Sequence, residues 1–333
     1  MNIEKLSEIL AGQPKYRFQQ APAAIFKDFI SDWDQATTLP LALRQQLNAG
    51  CPLKINGEIL KTGDKKTLKA LITLSDGQKV ESVLIAHQDG RYTVCVSSQV
   101  GCALRCGFCA TGQMGFKRNL TTAEIIEQIL FFARYVKELY PPGDRISNVV
   151  FMGMGEPFLN YENVLAAIKI INSEEYFNIG ARRISISTSG LIAGIKKLSN
   201  EKLQINLAIS LHATNDNLRS QLMPAQKKYP LKKIIAALDN YLEKTSRQVM
   251  IEYLLIKGLN DSPAEAEKLA ELFKGKLVVI NLIACNPVGD YKPSLEPVIR
   301  KFKNILQRGG LKVTQRYRLG REIDAACGQL ATR

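Results

Sequence analysis

Between residues 93 and 284 the chain alternates between two hydrophobic periods, and this alternation limits the possible fold more than any other feature. Strand-like runs fall at 93–98, 147–152, 183–188, 204–211, 249–256 and 277–284, and a helix-like run follows each. The first helical run, 121–140, opens with Thr121 and Glu124 at capping-box spacing. Strands joined through helices run parallel, because a crossover returns the chain to the edge where the first strand began. Six such units predict an α/β fold. Six rather than eight predict a partial (β/α)6 barrel, open on one side to a macromolecule. Chemistry in such a barrel belongs at the C-terminal ends of the strands.

The first 92 residues have other periods. Ile3, Leu6, Ile9 and Leu10, then Ala24, Ile25, Phe26, Phe29 and Ile30, then Leu41, Leu43 and Leu47 recur at helical spacing, and Pro40 suits the start of the third helix. Trp33, the only tryptophan, reads as a core plug. Val80, Val83 and Ile85 are strand-like, and Asp76-Gly77 and Asp89-Gly90 are hairpin signals. The expected layout is a helical accessory domain at 1–50, a small antiparallel β extension at 51–92 and the barrel with its tail at 93–333.

The loop after the first barrel strand reads Cys102-Ala-Leu-Arg-Cys106-Gly-Phe-Cys109, with thiols at i, i+4 and i+7. Three thiolates from one loop make a soft metal site. An iron–sulfur cluster usually takes four cysteines, so three would leave one iron open to bind a substrate. Zinc with a distant fourth ligand is the alternative. Seven cysteines, an odd number with three in one loop, do not form a disulfide framework; they fit a reducing compartment.

Polar groups recur at the other strand ends. Gly153-Met154-Gly155-Glu156-Pro157 follows the second strand, with glycines for close approach and a carboxylate for an ammonium group. Ser187-Thr188-Ser189-Gly190 follows the third strand, Ser210-Leu211-His212 the fourth and Cys285-Asn286-Pro287 the sixth. Each, taken alone, reads equally as a cap or turn. Cys95, taken alone, is a small buried strand residue, Cys327 a tail thiol, Glu81 a solvated strand carboxylate, and Cys51 and Cys285 are structural. His87 lies in a hairpin and has no role assigned.

Taken together these residues acquire another meaning. The C-x3-C-x2-C spacing with Phe108 before the last cysteine resembles the radical S-adenosylmethionine (SAM) enzymes. The string from Cys95-Val-Ser-Ser-Gln-Val-Gly-Cys102 to Gly115-Phe116-Lys117-Arg118-Asn119-Leu120 is similar to the RlmN family, which methylates C2 of adenine in 23S rRNA and in some tRNAs. The resemblance covers nearly the whole chain and is densest from Glu81 to Leu330. It implies a [4Fe–4S] cluster on Cys102, Cys106 and Cys109. It implies SAM held by Gly155, Glu156, Ser187, Ser210, Leu211, His212 and Asn286. It also implies two SAM per turnover: one methylates Cys327, and the other yields a radical that takes hydrogen from that methyl group. The carbon then joins C2, Glu81 accepts a proton, and Cys95 attacks Cys327 to release RNA and leave a disulfide. Displacement by a methyl cation is unpromising at the electrophilic C2, so a radical cofactor suits the task. A one-electron donor such as flavodoxin is implied, and a monomer is expected.

The formal net charge of +14 points to a polyanionic partner. The excess is uneven: residues 1–50 carry five basic and five acidic side chains, whereas 300–333 carry nine basic and two acidic. Phosphate contacts are expected from Arg182, Arg183, Lys196, Lys197, Lys227, Lys228, Lys232, Lys233, Arg316, Arg318 and Arg321. Residues 1–10 lack a signal-peptide pattern, and no apolar run reaches the roughly 20 residues that span a bilayer, so a soluble cytoplasmic protein is expected. A Cfr-type adenine C8 methyltransferase and a radical SAM enzyme on a non-RNA substrate are the rival readings. Pro157 and Ser189 are closer to RlmN than to Cfr.

Overall fold

The computed structural model describes residues 3–63, 66–141, 143–316, 323–325 and 327–331. The apolar residues at helical spacing build α1 (Ile3–Leu10), α2 (Arg17–Phe26) and α3 (Leu41–Gly50), with Pro40 just before the third. Trp33 is fully buried beside them, and its indole N–H donates to the Cys51 carbonyl oxygen at 2.8 Å. Burial of the large ring is favourable only because that polar N–H finds a partner.

An antiparallel meander follows: β1 (Asn56–Lys61), β2 (Thr67–Thr73), β3 (Lys79–Ala86) and β4 (Tyr92–Cys95). Gly77 and Gly90 make the two expected turns at φ 79° and 80°. β1 is absent from the sequence reading, because its mostly exposed residues show no alternation. β5 (Gln99–Gly101) and β6 (Phe116–Asn119) then form a separate two-stranded ribbon, with the short α4 (Ala110–Gln113) between them. This ribbon clasps the cysteine loop at its base. Cys102 N–H donates to the Gly115 carbonyl oxygen at 3.0 Å. The sequence pattern assigns no strand to 99–101 or 116–119, since strands this short carry no measurable period.

The barrel proper continues through α5 (Thr122–Leu139), β7 (Ile146–Phe151), α6 (Tyr161–Asn172), β8 (Ile184–Thr188), α7 (Ile192–Leu198) and β9 (Asn206–Ser210). After these come α8 (Asp216–Leu222), α9 (Leu231–Thr245), β10 (Val249–Leu255), α10 (Pro263–Phe273), β11 (Val278–Ala284), α11 (Glu296–Arg308) and β12 (Lys312–Arg316). One ten-stranded sheet runs β1-β2-β3-β4-β7-β8-β9-β10-β11-β12, and every pairing from β4 onward is parallel. All six expected parallel strands are present. The capping box of α5 is complete, with the Glu124 N–H on Thr121 Oγ1 at 3.2 Å and the Thr121 N–H on the Glu124 carboxylate at 2.9 Å. β12 adds a seventh parallel strand at the edge, where one partner suffices and a polar sequence is tolerated. Phe151, Ser187, Ser210, Leu254, Ile283 and Arg316, from six parallel strands, line a single cavity, so the sheet curls into a partial barrel. Among the described residues no helix is long and apolar enough to cross a membrane.

Gly101 is a decisive position in the clasp. Its φ is +73°, and a Cβ there would stand 1.8 Å from the Gly115 carbonyl oxygen. Gly101→Ala should destabilise the fold by about 1–3 kcal/mol, read as a lower midpoint in chemical denaturation.

Candidate active site

The cysteine loop leaves the C-terminal end of β4 through β5. Cys102 is buried, Cys106 and Cys109 are half-buried, and all three line the barrel cavity. The loop is shaped by its own main chain: Cys109 N–H donates to the Cys106 carbonyl oxygen at 3.1 Å, and Gly107 N–H to that of Leu222 at 3.0 Å. Burial pushes the Cys102 thiol up to about 12 and the Cys106 thiol well above its ordinary range. Such thiols ionise when a metal arrives, because the cation stabilises the thiolate far more than water does there. Among the described residues no three metal-ligating side chains are gathered round one point. A cluster takes each thiolate on a different iron, so its ligands stand further apart than those of a single ion.

The remaining strand ends supply polar groups. Gly155 has φ +99°, and a Cβ there would strike Gln99 at 2.5 Å, so only glycine lets this loop meet β5. Glu156 is buried, and its carboxylate accepts from the Phe158 N–H at 3.1 Å and from the Ser189 N–H and hydroxyl at 2.8 and 2.9 Å. It thus ties the loops after β7 and β8 together, while burial raises its pKa. Ser187 and Ser210 hydroxyls lie 3.3 Å apart across β8 and β9. His212 is in the left-handed region at φ 60°; its Nδ1 accepts the Leu254 N–H at 3.1 Å, and its ring stands edge-on to Phe108. Leu211 is buried and does not line the cavity; its N–H donates to the Glu252 carbonyl oxygen at 3.0 Å and its carbonyl accepts from Arg219, so the structure does not bring it to the ligand space. Arg219 of α8, also buried, donates to the carbonyl oxygens of Ser189, Ser210 and Leu211 and so fastens two strand ends at once.

The tail returns across the mouth. Cys327 and Gly328 line the same cavity as the cysteine loop, and Gly328 turns there at φ +83°. Asn286 Nδ2 donates to the Cys327 carbonyl oxygen at 3.0 Å, Ala110 N–H to that of Gly328 at 2.7 Å, and Thr111 Oγ1 to that of Leu330 at 2.6 Å. The Cys327 residue is open to solvent, yet the protein packed around its thiol raises its pKa. Cys95 is buried on β4, and burial raises it to about 12. All seven cysteines are free thiols, so the expected Cys95–Cys327 disulfide is not formed in this state. The physical reason is distance: no two of the cysteines stand close enough to bond.

Arg316 is a correction to the sequence reading. It is half-buried at the end of β12, lines the cavity with Cys327 and Glu252, and is no surface phosphate contact. Burial works against its charge, but Cys327, Glu252 and Cys95 outweigh that and raise its pKa. Arg182, Arg183, Lys196, Lys197, Lys227, Lys228, Lys232 and Lys233 are exposed as expected; Arg318 and Arg321 lie outside the described residues. The sequence pattern does not single out Glu252 or Lys69. The available signal was a charge inside an apolar run, in Val249-Met-Ile-Glu252-Tyr-Leu-Leu255 and Thr67-Leu-Lys69-Ala-Leu-Ile-Thr73.

Residues 96–273 match the radical SAM superfamily. A probable dual-specificity RNA methyltransferase RlmN from Dictyoglomus thermophilum is 46% identical over 99% of this chain and 94% of that protein. The chain belongs to the RlmN family. The ribosomal RNA large subunit methyltransferase N of Nitrosopumilus maritimus is 42% identical over 99% of this chain and 95% of that protein. A radical SAM methyltransferase from Sphaerobacter thermophilus, known from a crystal structure, matches with a TM-score of 0.94 at 43% identity, covering 100% of this chain and 98% of that one.

Membership of the RlmN family within the radical SAM superfamily implies SAM and a [4Fe–4S] cluster as cofactors. The residues fit both. Three thiols share one wall, and two buried acceptors on that cavity, Glu252 Oε1 and Asn286 Oδ1, have no partner among the described residues. Orphaned acceptors are costly unless a ligand supplies donors, as the amine and hydroxyls of SAM would.

His212 yields a pH prediction. Burial lowers its pKa from 6.5 to about 3, so between those values the unfolded chain binds a proton that the folded chain does not. Stability at this ring is therefore whole above about pH 6.5 and is lost as the pH falls toward 3. His212→Asn should show a shallower loss of urea midpoint than the parent across that window.

Proposed function

We propose that this chain methylates C2 of adenine in 23S rRNA, and in tRNA, by carrying the methyl group on Cys327. The observation that carries this reading is the tail. Its hydrogen bonds to Asn286, Ala110 and Thr111 set Cys327 in the wall of the cavity that the three cluster thiols also line. A thiol there can take methyl from SAM by displacement and then hold that methyl group beside a radical source. When bound, SAM and the cluster supply a 5′-deoxyadenosyl radical on receipt of one electron, from a donor of flavodoxin type.

The chain's own residues divide the remaining work. Cys102, Cys106 and Cys109 hold the cluster. Gly155, Glu156, Ser187, Ser210, His212 and Asn286 line the space for SAM. Two SAM are used per turnover, one for the Cys327 methyl group and one for the radical. Glu81 takes the proton leaving C2, and Cys95 attacks the Cys327 sulfur, so that an S–S bond forms as the S–CH2 bond to the RNA breaks; the freed carbon takes up a proton, and an external thiol reduces the disulfide before the next turnover. The register supports this pairing, since Val83 lies opposite Cys95 and Glu81 stands two residues away on the same face of β3. Residues 1–50 act as an RNA-contacting accessory unit, 51–92 as a β extension, and 93–333 as the barrel with its catalytic tail. The exposed lysines and arginines contact phosphates around an unpaired adenine, acting as a monomer in the cytoplasm.

Two substitutions test the reading because they should fail differently. Cys327→Ala should accept no methyl group and form no RNA adduct. Cys95→Ala should be methylated, add to RNA and stall, so a covalent protein–RNA band accumulates on a denaturing gel. Normal turnover by Cys95→Ala with no such band would overturn it. Log affinity for RNA should also fall linearly with log salt concentration, as counterions leave the phosphates.

A further inference from the structure

A second cavity lies beside the first, lined by Lys69, Glu81, Asp324, Gln329 and Ala331. Inside it Lys69 Nζ stands 3.0 Å from Glu81 Oε1, with the side chains only 6% and 1% exposed. The other carboxylate oxygen accepts the Ala331 N–H at 3.0 Å. Leu71 lies opposite Glu81 and Lys69 opposite Val83 across β2 and β3, while Val83 lies opposite Cys95 across β3 and β4. Opposed residues and residues two apart share a sheet face, so Lys69, Glu81 and Cys95 project from one face.

A buried ion pair is a weak device for stability. Desolvating two charges is expensive, and an apolar pair of the same shape commonly holds a sheet equally well. Glu81 alone could also be buried more cheaply as the neutral acid. A neutral acid, however, cannot accept a proton. Lys69 Nζ supplies the counter-charge that a buried carboxylate needs, and Asp324 is the other acidic side chain lining the same cavity.

We propose that Lys69 is the positioning residue for Glu81, holding its carboxylate charged and aimed so that it takes the proton from C2. This rests on the reading of Glu81 as the proton acceptor. In the step, the C2–H bond breaks, its electron pair stays with the ring, and an O–H bond forms on Glu81. Ala331 belongs to the same tail as Cys327, so the segment that carries the thiol also orients the base through its own N–H.

The test uses the full-length, cluster-loaded enzyme with an RNA hairpin bearing the target adenine. Two quantities are read: the S-methyl group on Cys327 by mass, and methylated RNA as a function of pH. Lys69→Met should gain the S-methyl group normally. Its deficit in methylated RNA should be on the order of tenfold greater at about pH 6 than at about pH 9, because the carboxylate without its lysine stays protonated to higher pH. Lys69→Arg should keep the parent's pH profile. The pair Lys69→Met with Glu81→Gln removes both charges and guards against misfolding; it should be no worse than Glu81→Gln alone. A Lys69→Met profile of the parent's shape, at whatever amplitude, overturns the role of Lys69 while leaving Glu81 as the base. If Glu81→Gln itself turns over normally, the reading of Glu81 falls first.

Discussion

Parallel pairing obliges each crossover to bring the chain back to the same starting edge, so β4, β7, β8, β9, β10 and β11 all finish on one side of the sheet. Most of the cavity wall follows from that. The cysteine loop, the Gly155-Glu156 loop, the serines, His212 and Asn286 are remote in sequence, yet each follows a strand end. The curl of the sheet then turns that row of ends into the wall of one cavity.

Strand ends alone would make a loose wall, and buried polar groups stiffen it. Glu156 links the loops after β7 and β8, and Arg219 reaches across from α8 to three carbonyl oxygens after β8 and β9. Neither group could be buried without its partners, and neither set of loops would hold its spacing without the group. Burial lowers Arg219 to about 10, a cost that only a fully engaged guanidinium can offset. Asn281 extends the same logic to the last strands, donating to Glu252 at 2.7 Å while accepting from the Thr314 hydroxyl at 2.8 Å. This leaves Glu252 with one oxygen oriented and the other without a partner among the described residues.

The thiols show the same interior acting on reactivity. Burial raises Cys95, Cys102, Cys106 and Cys327 alike, which protects them from casual oxidation. What distinguishes them is the nearest cation. Arg316 faces Cys95 and Cys327, and Arg219 faces Cys106, so each of these three has a protein charge that favours its thiolate.

Much of this was legible in the amino-acid order, where a local period or a local motif suffices. The six strands and their helices, the α5 capping box, the three N-terminal helices, the buried Trp33 and the cysteine triplet are all properties of neighbours in sequence. β1, the β5–β6 clasp and β12 were not legible, because β1, β6 and β12 are short with exposed or charged side chains and β5, though buried, is only three residues long, too few to show a period. Nor was the placement of Arg316 inside the barrel, of Leu211 away from the cavity, or of Lys69 against Glu81. Those depend on strand register and on the path of the tail, which are settled by contacts between segments up to 250 residues apart. Sequence by itself determined which elements form and which residues could carry chemistry. Only the tertiary structure decided which of them meet, because burial and hydrogen-bond partners belong to the packed chain and not to any stretch of it.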